Sequence, residues 1–130
     1  YKRQIYNLVN ALKRQSELIF IREKDYIQNP KPNGYRSFHV IIAVPVYYLD
    51  TMEDFPVEIQ LRTMTMDLWA SMEHRVCYKK LPEHRDELAE AFCQYADILG
   101  KIEEQFEAYN ETGMLEEITP AQITENPTEG

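Results

Sequence analysis

The sequence predicts one domain of the α/β (α+β) class, a mixed β-sheet flanked by helices and followed by a long C-terminal helix. Three observations carry the prediction: a helical apolar pattern at the start, β-branched runs through the middle, and a heptad-spaced apolar seam near the end. With 130 residues, 44% of them hydrophobic, the chain is long enough to bury a single core.

Tyr1, Ile5, Leu8, Val9 and Leu12 recur at helical spacing, so residues 1–15 read as an amphipathic helix. Leu18-Ile19-Phe20-Ile21 is too short for a helix and rich in strand formers, which predicts a buried strand. Residues 23–37 hold Asn29-Pro30-Lys31-Pro32-Asn33-Gly34-Tyr35, a loop by its prolines, glycine and asparagines. Residues 38–48 are β-branched and aromatic and predict a strand near the sheet centre, with Pro45 marking an edge or a bulge. Residues 50–54 read as an acidic turn and 55–63 as the returning strand of a hairpin. Thr63 or Thr65 caps the next helix, which runs to about Lys80 on a stripe of Leu68, Met72 and Val76 beside Trp69 and is ended by Pro82.

A last helix is expected over residues 83–110. Leu88, Phe92, Tyr95, Leu99, Ile102, Phe106 and Tyr109 follow steps of four and three along it. Such a seam packs on its own domain or on another subunit, and Gly100 within it argues against a long supercoil. Residues 111–130 are polar and acidic and read as a flexible tail.

The net charge of −8 conceals a division. Residues 1–40 carry eight Lys and Arg against three acids, whereas residues 81–130 carry two against thirteen. The acidic total excludes a general duplex-DNA binder, because phosphate contact needs a basic face, while the basic first third suits a small anion. No run approaches the ~18 apolar residues of a membrane span. Cys77 and Cys93 form no Cys-x-x-Cys pair and read as reduced thiols of a cytoplasmic protein. The chain opens on Tyr1, already within a helical pattern, and reads as a piece of something longer.

Three groups of residues carry chemistry. In Val57-Glu58-Ile59-Gln60-Leu61-Arg62, strand alternation turns Val57, Ile59 and Leu61 to the core and Glu58, Gln60 and Arg62 to the opposite face. That row suits a solvated sheet face, or a nucleotide site with a carboxylate as base or metal ligand and a guanidinium for phosphate. In the exit of the loop, Tyr35, Ser37 and His39 share one side if extended, and Lys31 and Asn33 continue the row. An aromatic ring, an amide, an ammonium and an imidazole are what a free nucleotide needs, though the same Tyr and His also serve as packing. Finally, Trp69 and Glu73 lie one turn apart. Glu73, His74, Cys77 and His84 match no compact tetrahedral zinc spacing, which favours a packing helix with a polar end.

In order, residues 24–39 (Lys24-Asp25-Tyr26 through Lys31-Pro32-Asn33-Gly34-Tyr35-Arg36-Ser37-Phe38-His39), residues 56–63 (Pro56-Val57-Glu58-Ile59-Gln60-Leu61-Arg62-Thr63) and residues 66–74 with Tyr78-Lys79 resemble the synthetase domain of the RelA/SpoT family, and most closely its single-domain small alarmone synthetases. The likeness is strong over about residues 17–80. It implies a nucleotidyltransferase-like synthetase fold and pyrophosphoryl transfer from ATP to the ribose 3'-hydroxyl of GDP or GTP, with Mg2+ as cofactor, in the stringent response. Glu58 is then the catalytic base and Mg2+ partner, Tyr35 stacks on guanine, and Lys31, Asn33 and His39 complete the guanosine side, with Gln60 and Arg62 as further substrate contacts. The trailing helix is similar in pattern to those that build the family's homotetramers.

The family pattern also has a strand Asp-Ile-Ala-Gly-x-Arg before the first helix, supplying the principal Mg2+ aspartate, and upstream Arg and Lys groups that hold ATP. None of these lies within the 130 residues, so the expectation is the acceptor half of a synthetase site in residues 1–110. The alternative expectation is a non-catalytic guanine-nucleotide binder or an oligomerisation remnant.

Overall fold

The computed structural model describes residues 2–78 and 82–111. The elements run α1 (Lys2–Lys13), β1 (Ile19–Asp25), β2 (Phe38–Tyr48), β3 (Thr51–Leu61), α2 (Met64–Cys77), a short 3-10 turn (Pro82–His84) and α3 (Arg85–Glu111). The α+β class holds. The three strands lie in the order β1-β2-β3 and pair antiparallel throughout, so no parallel pair accompanies them among the described residues. Of the expected tail over residues 111–130, Glu111 closes α3 and the rest lies outside the described residues.

The β2–β3 hairpin is tighter and longer than the sequence suggested. Tyr48 pairs with Thr51 across a two-residue turn, Leu49-Asp50, and the acids Glu53 and Asp54 are exposed strand positions rather than a turn. Pro45 is tolerated because β1 pairs with β2 only as far as Ala43, leaving the strand beyond it open on that side. The first strand is longer too, and carries an irregularity between Phe20 and Arg22.

One face of the sheet is covered by α1. Ile5 and Val9 pack on Phe38, Val40 and Ile42, and the half-buried Ile59 and Leu61 complete the cluster from β3. Val57, expected in this core, is 40% exposed although its partner Ile42 is buried, since it lies on the edge strand of the described sheet; Leu8 of the predicted helical stripe is 54% exposed. Tyr6 fastens α1 to the end of β1 through a 2.8 Å hydrogen bond to Asp25, whose other oxygen accepts from the Ile27 and Gln28 amides and turns the chain into the loop. Burial, then that bond, push the Tyr6 pKa up to about 12.

A second cluster joins the loop, α2 and α3 through Tyr35, Met66, Trp69, Phe92 and Ala96. Thr63 caps α2, accepting from the Met66 amide. The buried face of α2 is therefore Met66 and Trp69; Leu68 and Met72 of the predicted stripe are 50% and 45% exposed. α2 ends at Cys77, short of Lys80. The seam of α3 divides in the same way: Phe92 is buried and Leu88 and Leu99 half-buried against α2, while Tyr95, Ile102, Phe106 and Tyr109 face outward beside Ile98.

Candidate active site

The face of the sheet opposite α1 carries the polar groups. Strand alternation and the β2–β3 register bring His39 opposite Gln60, and place Glu58 opposite Ile41. His39 reaches diagonally to Glu58, with Nδ1 2.9 Å from Oε1. On its other side His39 Nε2 lies 3.2 Å from the Tyr35 hydroxyl, which in turn accepts from Arg62 Nη1 at 3.3 Å. Arg62 is anchored by Asp67 at the start of α2, at 3.0 Å from Nε and 2.9 Å from Nη2.

With His39 neutral and its Nδ1 hydrogen on the carboxylate, the bonds run in one direction. Arg62 donates to the Tyr35 oxygen, Tyr35 donates to His39 Nε2, and His39 donates from Nδ1 to the Glu58 carboxylate. This pattern needs a neutral imidazole, and the surroundings favour one. Burial is the main influence lowering the His39 pKa below its usual 6.5; the Glu58 bond and charge oppose it, and the positive charges of Lys31 and Lys24 add to the lowering.

Lys31 sits over the same aromatic group, its ammonium 4.9 Å from the Tyr26 ring centre and 5.2 Å from that of Tyr35. Tyr35 is only 8% exposed, bordered by Trp69 at 5.9 Å and Tyr26 at 6.4 Å. Gln60 and Arg62 line an open groove of about 660 Å3 between the end of β3 and the first turns of α2, floored by Asp67, Leu68 and Ser71.

Ser37, also expected in the row, is fully buried with its hydroxyl unpaired among the described residues, and Asn33 leaves the row. Its Oδ1 accepts from the Tyr35 amide at 3.1 Å, closing the loop on itself, and it borders a separate cavity of about 520 Å3 beside Glu73, His74 and Arg85. Among the described residues no three His, Cys, Asp or Glu gather to hold a metal ion. Glu58, half-exposed, offers the carboxylate oxygen that His39 does not use.

The sequence reading missed Arg22 and did not place Lys24 beside Glu58. Register shifts in β1 between Phe20 and Arg22, so that Phe20 pairs with Ile42 but Arg22 pairs with Ile41 and Lys24 with His39. The extra residue, Ile21, is a bulge, and it turns Arg22 and Lys24 onto the outer face next to Glu58 and His39, around a small cleft of about 50 Å3. The sequence held a signal for this: in an unbroken strand Phe20, Arg22 and Lys24 share one face, which would press two cations beneath α1.

Solved structures of the same shape place this architecture among the alarmone synthetases. Small alarmone synthetase 2 from Bacillus subtilis superposes with a TM-score of 0.77 at 41% identity, covering 85% of this chain and 61% of that one. A GTP pyrophosphokinase family protein from Streptococcus pneumoniae gives 0.76 at 29% identity, covering 85% and 58%. Residues 1–83 match the family model described as the region found in RelA / SpoT proteins, and the chain belongs to the RelA/SpoT family. It is 45% identical over 101 residues to GTP pyrophosphokinase YwaC of Bacillus subtilis (strain 168), across 78% of this chain and 48% of that relative. The chain thus spans about half the length of a curated relative that it matches.

Proposed function

We propose that this chain carries the guanosine-nucleotide half of a cytoplasmic (p)ppGpp synthetase, a GTP diphosphokinase that moves a pyrophosphoryl group from ATP to the 3'-hydroxyl of GDP or GTP in the stringent response. The reading rests on the His39–Glu58 pair, joined through Tyr35 to Arg62 on one sheet face, in a family whose relative is a GTP pyrophosphokinase.

In this reading the ribose 3'-oxygen attacks the β-phosphorus of ATP, the bond from that phosphorus to the α–β bridging oxygen breaks, AMP leaves, and Glu58 takes the hydroxyl proton. Neutral His39 orients the Glu58 carboxylate by holding one oxygen, leaving the other for the incoming hydroxyl. The guanine base lies on Tyr35 in the place now taken by the Lys31 ammonium, which swings away to meet phosphate. Arg62, Arg22 and Lys24 supply further positive charge around the transferring group, since phosphoryl transfer needs mainly positioning and charge neutralisation. Gln60 meets the nucleotide from the groove, and Asn33 acts by shaping the loop.

Mg2+ suits this donor set in the way nucleotide enzymes use it, through one or two carboxylates with phosphates and water completing the octahedron. Glu58 is the carboxylate that would hold it, through the oxygen that also faces the incoming hydroxyl, and the ion would supply charge neutralisation on the phosphates. The outward stripe of α3, Tyr95, Ile98, Ile102 and Phe106, suits a homo-oligomer interface, that of a tetramer in this reading.

Nucleotide chromatography of the complete protein with ATP, GDP and Mg2+ tests the activity. AMP and ppGpp in equal amounts are expected; GDP binding without either product would leave only the non-catalytic alternative. Light scattering of wild type and Phe106→Asp tests the interface, with a smaller species expected for the variant.

A further inference from the structure

The loop that carries Lys31, Asn33 and Tyr35 is backed by α3 at two close approaches. Gly34, with φ +90, is the single residue with positive φ among those described. A Cβ there would come within 2.8 Å of the Ala96 Cβ and 3.1 Å of the Cys93 Cα, so the loop backbone lies directly on the helix. Two residues on, Arg36 crosses the same helix one turn further along. It pairs with Asp97 at 2.6 Å, and a Cβ on Gly100 would stand 2.6 Å from its Nη1. Ala96 is fully buried, and Gly100 is buried beneath the guanidinium. Gly100 costs α3 helical stability where an alanine would not, so its place is explained by the room it leaves for Arg36.

We propose that α3 sets the shape of the nucleotide loop through this latch, with Asp97 and Gly100 as positioning residues acting through Arg36, and Ala96 acting through Gly34. The latch holds the back of the loop while Lys31 and Tyr35 present its front. It deepens the reading of the loop as the guanosine site and rests on that reading for its effect on binding. The helix that bears the outward apolar stripe is thereby tied to the residues that meet the nucleotide.

Gly100→Ala in the complete protein separates this from a merely structural role. The new methyl meets only the far end of the Arg36 side chain, so the fold is kept, and alanine strengthens the helix. The expected result is a denaturation midpoint equal to or above wild type, together with GDP binding weaker by about two- to fivefold, the scale of losing a partly exposed ion pair. KM for GDP rises while KM for ATP stays put. Asp97→Ala should give the same split, Asp97→Glu should restore it, and in an Arg36→Ala background Gly100→Ala should have no further effect.

Hydrogen exchange without nucleotide provides a second readout, because the Gly34 amide bonds to the Lys31 carbonyl at 2.8 Å and the Tyr35 amide to Asn33. Both should exchange faster in Gly100→Ala. If wild type binds no GDP but these amides lose protection, the latch stands and the guanosine reading falls. If Gly100→Ala binds GDP as wild type does and the amides are unchanged, the latch is overturned and the guanosine reading stands.

Discussion

His39 on β2 gives its Nδ1 hydrogen to Glu58 on β3 across the diagonal of the sheet, 2.9 Å away, rather than to its direct cross-strand partner Gln60. The bond fixes the imidazole tautomer and makes its protonation state depend on the carboxylate, which renders the pair testable from either end.

Glu58→Gln is expected to abolish ppGpp synthesis in the complete protein while leaving GDP binding within a few-fold, since loss of the base removes transition-state rather than ground-state stabilisation. The same change removes the influence that raises the His39 pKa, so NMR titration should show it falling further below 6.5. Normal turnover in Glu58→Gln would exclude Glu58 as the base.

Lys24 lowers the His39 pKa from β1. Replacing it by Gln should therefore move the His39 titration upward, and weaken nucleotide binding with a shallower salt dependence. An unmoved titration would mean that the bulge does not aim Lys24 at this face.

Stability should fall on mild acidification. Burial lowers the native His39 pKa, so as pH drops from 6.5 the unfolded chain takes up its proton first and is favoured; the contribution is complete above 6.5 and lost as pH falls through the native value. Denaturant midpoints at about pH 7.5 and about pH 5.5 should differ less in His39→Gln than in wild type.

Tyr35→Ala should weaken GDP binding by ~1–3 kcal/mol through loss of the base stack. Tyr35→Phe keeps the ring but leaves His39 Nε2 and Arg62 without the hydroxyl between them, so binding should hold within a few-fold while kcat falls. Calorimetry and kinetics on the pair of variants distinguish stacking from relay.

Thr63→Ala should cost about 1 kcal/mol of unfolding free energy by uncapping α2, measured by denaturant melts. Because Arg62 precedes the cap and pairs with Asp67 in the first turn, GDP binding should weaken with it.

Strand alternation was enough to read the outer-face placement of Glu58 and Gln60, and the residue inventory of the loop pointed to Tyr35 and His39. What alternation could not supply was the bulge, because one extra residue inverts every assignment after it. The placement of Arg22 and Lys24 beside Glu58 was hidden for that reason, although an apolar residue and two cations at the same parity recorded the conflict. Asn33 was misplaced for a different reason. A short amide in a turn bonds its own backbone more readily than it reaches outward, and that competition is settled by loop geometry that composition does not encode. The α2 and α3 stripes were read as continuous, whereas neighbouring elements cover only part of each.

The two edges of the described sheet are unequal addresses for any strand laid beside them. Neighbouring strands stand about 4.8 Å apart, so one paired to β3 runs a single spacing from Glu58, whereas one paired to β1 runs three spacings, roughly 14 Å, away. An acid on the first could share an ion with Glu58; an acid on the second could not, and would meet Arg22 and Lys24 instead. The order β1-β2-β3 therefore sets the carboxylate of Glu58 along one border and the cations Arg22 and Lys24 along the other.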